Sequence, residues 1–180
     1  MKGIKSSLIV LTALIMVFPA TTLAYSTGPS WFRIPGTIKT VDIDPIGQNL
    51  AQELAIRNAM SSWSNAGAEF YYIDNTTSGN NFGYYYDGGT NTLAYNYIEQ
   101  NWLGYITSTY VRVNTAKPWA TDGNGYSYDF ESMAVHELGH GLRLNGSSET
   151  EATMYESMGL GETKKRSLHS DDNNGINAMY

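Results

Sequence analysis

From Thr37 to Ile43 β-branched and polar side chains alternate, the period of a half-buried strand. Asp44-Pro45 then offers a capping carboxylate followed by proline at a first helical position, which predicts a helix from there to about Asn65. Its apolar stripe is Ile56, Met60 and Trp63 at i, i+4 and i+7, Gly67 marks its end, and Glu53 and Arg57, four apart, form a solvated pair. Between Glu69 and Thr115 the chain is rich in tyrosine, threonine and turn residues. The pattern predicts strands over 69–74, 82–86, 92–99 and 108–114, with turns over 75–81 and 87–89. Residues 117–128 form a loop, and Asp129 caps a second helix that carries Glu131 in its first turn. Polar loop follows over 147–153, then a short apolar turn from Met154 to Met158, then loop to Lys165. A last helix starts with Ser170 as cap, Asp171 and Asp172 in its first turn, and Ile176 and Met179 inside. A helix, a run of short strands and a second helix predict a mixed sheet with helices packed on it, an α+β arrangement.

The first 24 residues stand apart from this pattern. Lys2 and Lys5 precede an apolar run from Leu8 to Phe18, and Thr22-Leu23-Ala24 is a small-residue cleavage site, so residues 1–24 read as a secretory signal peptide. The run falls short of the ~20 residues a membrane span needs. Residues 25–180 are then one domain, exported and expected to act as a monomer away from the membrane. Of eleven basic and seventeen acidic residues the leader removes two lysines and no acid, leaving a net charge of −8 and making nucleic acid an unsuitable partner. With no cysteine there are no disulfides, zinc ribbons or thiol nucleophiles.

The chemistry concentrates in Met133 to Gly146, where His136, Glu137 and His140 spell H-E-x-x-H. On a helix, positions i and i+4 share a face, so both imidazoles can reach one metal ion with Glu137 beside them as a base, the pattern of a zinc hydrolase. Only one other histidine exists, His169. Asp122 and Asn124, bracketed by glycines, are candidate calcium ligands without the full set of an EF-hand loop. Tyr84-Tyr85-Tyr86 and Trp102 can be read as a glycan or peptide surface, or as tyrosines alternating between core and rim of a sheet. Asn75-Thr76-Thr77 and Asn145-Gly146-Ser147 fit the N-glycosylation pattern.

The chain resembles a secreted metzincin metallopeptidase of the matrixin type, most closely from Val111 to Tyr180. The resemblance rests on Asn114 to Trp119, Tyr128-Asp129, His136-Glu137-x-x-His140, Met154-Tyr155 eighteen residues after His136, and Leu168 to Asp172. It implies a twisted mixed sheet whose edge strand, with 92–99 as candidate, lies over a cleft. The signature helix forms the floor, a methionine turn at Met154 lies below, and a C-terminal helix follows. It further implies zinc held by His136 and His140, Glu137 as general base in peptide-bond hydrolysis, and an extended protein or peptide substrate paired to the edge strand.

Two residues depart from the longer family motif. Its glycine position is Arg143 and its third histidine position is Gly146. Arginine in a left-handed conformation costs about 1–2 kcal/mol, which predicts a helix running on to Asn145-Gly146 with Arg143 on the histidine face. A third ligand would have to come from elsewhere: Glu156 or Glu149 ahead of His169. The segment Asp87 to Tyr95 carries tyrosine at a histidine position of the family, so a second, structural zinc is not expected. The alternative function is a catalytically impaired metzincin fold serving as a secreted binding module.

Overall fold

The computed structural model describes residues 38–41 and 49–180; the leader over 1–24 and the helix start at Asp44-Pro45 lie outside the described residues. The first described helix, α1 (Leu50–Ser64), is capped by Asn49. Asn49 Oδ1 accepts from the Gln52 amide at 3.0 Å and the Asn49 amide donates to Gln52 Oε1 at 3.4 Å, a reciprocal box that satisfies two end amides. The buried stripe is Ala55, Ile56, Ala59, Met60 and Trp63, so the predicted periodicity holds. Arg57 differs from expectation: its guanidinium pairs with Asp74 at 2.7 Å instead of Glu53, because the strand after α1 brings a carboxylate within reach.

The described strands divide into three groups. β1 (Ile38–Val41) runs parallel to β2 (Tyr71–Asp74), and these two pair with each other rather than joining the larger sheet. That sheet has the order β3 (Asn81–Tyr85), β5 (Ile106–Asn114), β4 (Ala94–Gln100), with β3 parallel and β4 antiparallel to β5. β4 is therefore an edge strand, as the 92–99 segment was expected to be. β6 (Trp119–Ala120) and β7 (Tyr128–Asp129) form a two-residue parallel pair leading into α2 (Phe130–Gly141). A 3₁₀ turn, Lys164–Arg166, precedes α3 (Ser170–Met179). The whole is a mixed α+β domain. Among the described residues no helix is long and apolar enough to cross a membrane.

The inward faces of β3 and β5 supply Phe82, Val111 and Val113 to a core shared with Ile56, Trp63 and Leu138. Outward, Tyr85 meets Tyr95 and Tyr97 stacks on Tyr110 at 6.1 Å between centroids, while Tyr86 and Trp102 are exposed. The tyrosines thus follow the alternation of a sheet. Two buried hydrogen bonds fasten the layers to the back of α2: Trp63 Nε1 donates to Val135 O at 2.7 Å and the Tyr72 hydroxyl to Leu138 O at 3.2 Å. Packing there is so close that a Cβ at Gly139 would collide with Met154 Sδ and Trp63 Cζ2. α3 begins one residue earlier than predicted. His169, not Ser170, is its cap, its Nδ1 accepting from the Asp171 amide at 3.2 Å while Asp172 accepts from the His169 amide.

Candidate active site

α2 starts where the sequence predicts. Asp129 Oδ2 accepts the Ser132 amide at 2.8 Å, and Arg166 grips the same carboxylate with Nε at 2.9 Å and Nη2 at 2.5 Å. Burial alone would raise the Asp129 carboxyl, but the bonds from Arg166 and Ser132 outweigh it and hold it below its ordinary value.

One turn apart on α2, His136 and His140 face each other. His136 Nδ1 lies 2.8 Å from Thr153 O and His140 Nδ1 lies 2.8 Å from Leu144 O. A carbonyl only accepts, so each Nδ1 carries the hydrogen and each neutral ring turns an Nε2 lone pair to the other. The two Nε2 atoms are 3.1 Å apart. Burial drives the His136 ring down to about 3, with His140 and Lys165 adding to the shift, and burial also lowers His140. Two acceptors converging without a proton between them repel; a cation between them removes the conflict. Nitrogens bound at ~2.0–2.1 Å to a tetrahedral zinc stand roughly 3.3 Å apart, close to the spacing seen.

Glu137 lies beside the pair and is 5% exposed. Its Oε2 has no hydrogen-bond partner among the described residues, and burial raises its carboxyl to about 8, with Lys165 opposing. These side chains open into a cleft of about 730 Å³ between β4 and α2, lined also by Glu156, Ser157 and Met158. The edge strand is tied to the helix by Asn96, whose Nδ2 donates to Glu137 O at 2.8 Å.

The departures at 143 and 146 resolve differently from expectation. α2 stops at Gly141, and Arg143 takes the left-handed conformation after all, at φ 73°. Its amide donates to His140 O at 2.9 Å and the Leu144 amide reaches back to Gly139 O at 3.1 Å, the double closure of a Schellman motif. Buried Leu142 and Leu144 on either side hold the turn against its conformational cost. The same turn presents Leu144 O to His140, so a strained arginine performs the stop that the motif assigns to glycine. Arg143 lines the cleft with the histidines, and its guanidinium reaches β4: with the Gln100 amide turned so that its oxygen faces Arg143, that oxygen accepts from Nη2 and, at 3.3 Å, from Nη1.

At Gly146 an added Cβ would stand 2.8 Å from Glu156 Oε1. The Glu156 carboxylate thus fills the space a side chain at 146 would enter. Glu149 turns away, accepting the Glu151 amide at 3.3 Å and taking no part in the cleft, and His169 is spent as the α3 cap. Among the described residues no group of three or more His, Asp or Glu is gathered closely enough to hold a metal, so the two imidazoles are a pair in this conformation. The Asp122 and Asn124 oxygens accept the Asn124 and Tyr126 amides within their own loop and form no such group.

Met154 is buried under α2, and its turn is clamped by Asp172. The two Asp172 oxygens accept from the amides of Thr153 (2.8 Å), Met154 (3.0 Å) and His169 (2.8 Å), and Thr153 O in turn orients His136. Asp172→Ala leaves three amides without their acceptor. At about 1–3 kcal/mol each, partly recovered by water, the expected loss is about 4 kcal/mol, or roughly 10 °C in Tm. Thermal unfolding followed by circular dichroism checks this, and a loss under about 1 kcal/mol would show that the clamp carries little of the turn's stability.

Sequence reading missed Asn96 and Lys165. Asn96 had a signal, a polar side chain at an inward position between Ala94 and Ile98. Lys165, inside the run Lys164-Lys165-Arg166, reads as solvated loop yet is 1% exposed.

A helix bearing H-E-x-x-H, a methionine turn beneath it and an edge strand above a cleft define a metzincin. The matrixin family model matches residues 37–180, and the chain belongs to the matrixin family of zinc metalloendopeptidases. It is 35% identical to human matrilysin over 97 residues, covering 54% of this chain and 34% of that protein. To Metalloendoproteinase 1-MMP of Arabidopsis thaliana it is 31% identical over 140 residues, covering 69% and 36%, and to human neutrophil collagenase 28% over 162 residues, covering 84% and 33%. The chain spans about a third of the length of these relatives.

Proposed function

We propose that this chain is a secreted, monomeric metalloendopeptidase in which His136 and His140 hold zinc, Glu156 supplies the third protein ligand and Glu137 is the general base. The observation that carries the reading is the pair of Nε2 lone pairs converging at 3.1 Å, each ring locked in the ligand tautomer by a backbone carbonyl. The unpartnered Glu137 Oε2 fits the same assignment, because a base must keep an open acceptor toward the water it deprotonates. Glu156 is exposed, stands beside position 146, lines the cleft with both histidines and pushes the His140 pKa upward, which supports it as the carboxylate that turns to the imidazoles.

Zinc, when bound, lowers the pKa of a bound water toward neutrality. Glu137 takes the water proton on Oε2 and passes it to the departing amine. β4, held over α2 by Asn96, offers its free edge to an extended peptide, whose backbone pairs with the strand. Residues 1–24 direct export.

The protein is expected to bind about one zinc per chain and to cleave an unstructured protein until a chelator is added. Metal analysis and a gel of casein digestion read both. A chain that takes up no zinc at micromolar concentration and cuts nothing is instead a metzincin fold acting as a binding module.

A further inference from the structure

Lys165 is an unusual cation. It sits in the middle of the 3₁₀ turn and is 1% exposed, yet it lines the cleft together with Met133, His136, Glu137 and Met158. Its Nζ donates to Thr153 O at 3.2 Å and to Tyr155 O, and stands 5.8 Å from the centre of the Tyr155 ring. These are neutral partners. Among the described residues no carboxylate lies within ion-pair distance of Lys165, whereas both of its neighbours are paired, Lys164 with Glu151 and Arg166 with Asp129.

Three carboxylates, Glu162, Asp172 and Glu137, lie near enough to favour the charge, but none pairs with it. Asp172 spends both oxygens on three amides, and Glu162 gives Oε2 to the Gly159 amide and turns Oε1, which accepts no hydrogen bond among the described residues, toward Lys164 at 3.9 Å. Glu137 opens toward the same cleft, where the reaction needs it. A buried ammonium costs several kcal/mol unless a counterion offsets the lost hydration, and two carbonyl acceptors would be served as well by an uncharged donor. With two hydrogens held by carbonyls and no carboxylate closing on the third, the ammonium faces the cleft ready for an anion that arrives from outside.

We infer that Lys165 is a specificity-determining residue that selects a peptide carrying an aspartate or glutamate side chain next to the scissile bond; this rests on the proteolytic reading of the same cleft. The third ammonium hydrogen and the positive charge receive the substrate carboxylate, while the two carbonyls fix where Nζ stands. Burial lowers Lys165 to about 8, which leaves it largely protonated at neutral pH, and an arriving carboxylate favours the protonated form further. Met133 and Met158 line the same cleft and suit the methylene part of such a side chain.

The test uses the zinc-loaded full chain and peptides that differ only in bearing Glu, Gln or Leu at the positions flanking one cleavable bond, with products mapped by mass spectrometry. The expected result is a kcat/KM about 10- to 100-fold higher for Glu than for Gln at one flanking position, the range of a charge-assisted hydrogen bond. In Lys165→Gln, which keeps a donor for the carbonyls and removes the charge, that ratio falls to near one. A wild-type preference for Leu or Gln overturns the inference, as does a Lys165→Gln protein that loses turnover of all peptides in the same proportion, which would make Lys165 structural only. If no peptide is cleaved, the proteolytic reading has failed, and the same peptides are then read by fluorescence anisotropy. Tighter binding of the Glu peptide that Lys165→Gln removes sustains the carboxylate site; equal binding overturns it.

Discussion

Glu137→Gln lowers kcat by about 10²- to 10⁴-fold while the protein still takes up its zinc, the range that a positioned base contributes. The side chain is isosteric, so packing in the cleft is kept, and the link from β4 is untouched because Asn96 bonds the backbone carbonyl of Glu137 and not its side chain. What disappears is the buried carboxylate oxygen, Oε2, that would take the proton from water. Metal content by mass spectrometry and initial rates on one peptide separate the two effects, and a rate within a few-fold of wild type would place the base on another residue. The same variant removes a pH dependence from the metal-free protein. The Glu137 carboxyl keeps its proton in the fold up to about 8 but only to 4.5 in the ordinary state, so the folded chain binds more protons between those values. Stability is therefore full below 4.5 and declines as pH rises toward 8, a slope that Gln lacks.

Gly146→His raises zinc affinity by more than about 100-fold, beyond the 10- to 100-fold that partners one shell further out contribute. The backbone at 146 already aims a Cβ at the space Glu156 occupies, 2.8 Å from Oε1, and that atom ends a flexible exposed side chain that can swing aside. No second change at 143 is needed, because Arg143 already makes the left-handed stop that delivers Leu144 O to His140. Glu156→Ala in the wild-type background removes a ligand and weakens zinc by more than about 100-fold, beyond the range of an outer partner, and adding it to Gly146→His costs little, since the imidazole has replaced the carboxylate. Competition against a chromophoric chelator measures all four proteins. Equal affinity for wild type and Gly146→His would show that position 146 does not address the metal, and an unchanged Glu156→Ala would remove Glu156 from the site.

Much of the fold was legible because it depends on neighbours in sequence. The α1 stripe at Ile56, Met60 and Trp63 follows from helical period, Asp129 announces α2 by its capping chemistry, and β4 with its alternation of exposed Tyr95 and Tyr97 against inward Asn96 follows from the pleat. Where prediction went astray, a distant partner had intervened. Arg57 turned from Glu53 to Asp74, which is remote in sequence and near in space. The cap of α3 moved to His169 because Asp172, already holding the Met turn, also holds the His169 amide.

The site divides along the same line. Two imidazoles on one face of a helix follow from i, i+4 spacing, with the neighbouring carboxylate beside them, and these can be read from the chain alone, as can the methionine eighteen residues on. The tautomer of each ring was set by carbonyls from Thr153 and Leu144, groups that every residue possesses and no sequence pattern marks. Whether helix α2 would stop at Arg143 was a balance between about 1–2 kcal/mol of left-handed strain and the burial of Leu142 and Leu144, and only packing weighed it. The meeting of Gly146 with Glu156, and the burial of Lys165 in the cleft with Glu137, are likewise decided by tertiary structure, because the contacts that bring them together join separate parts of the chain.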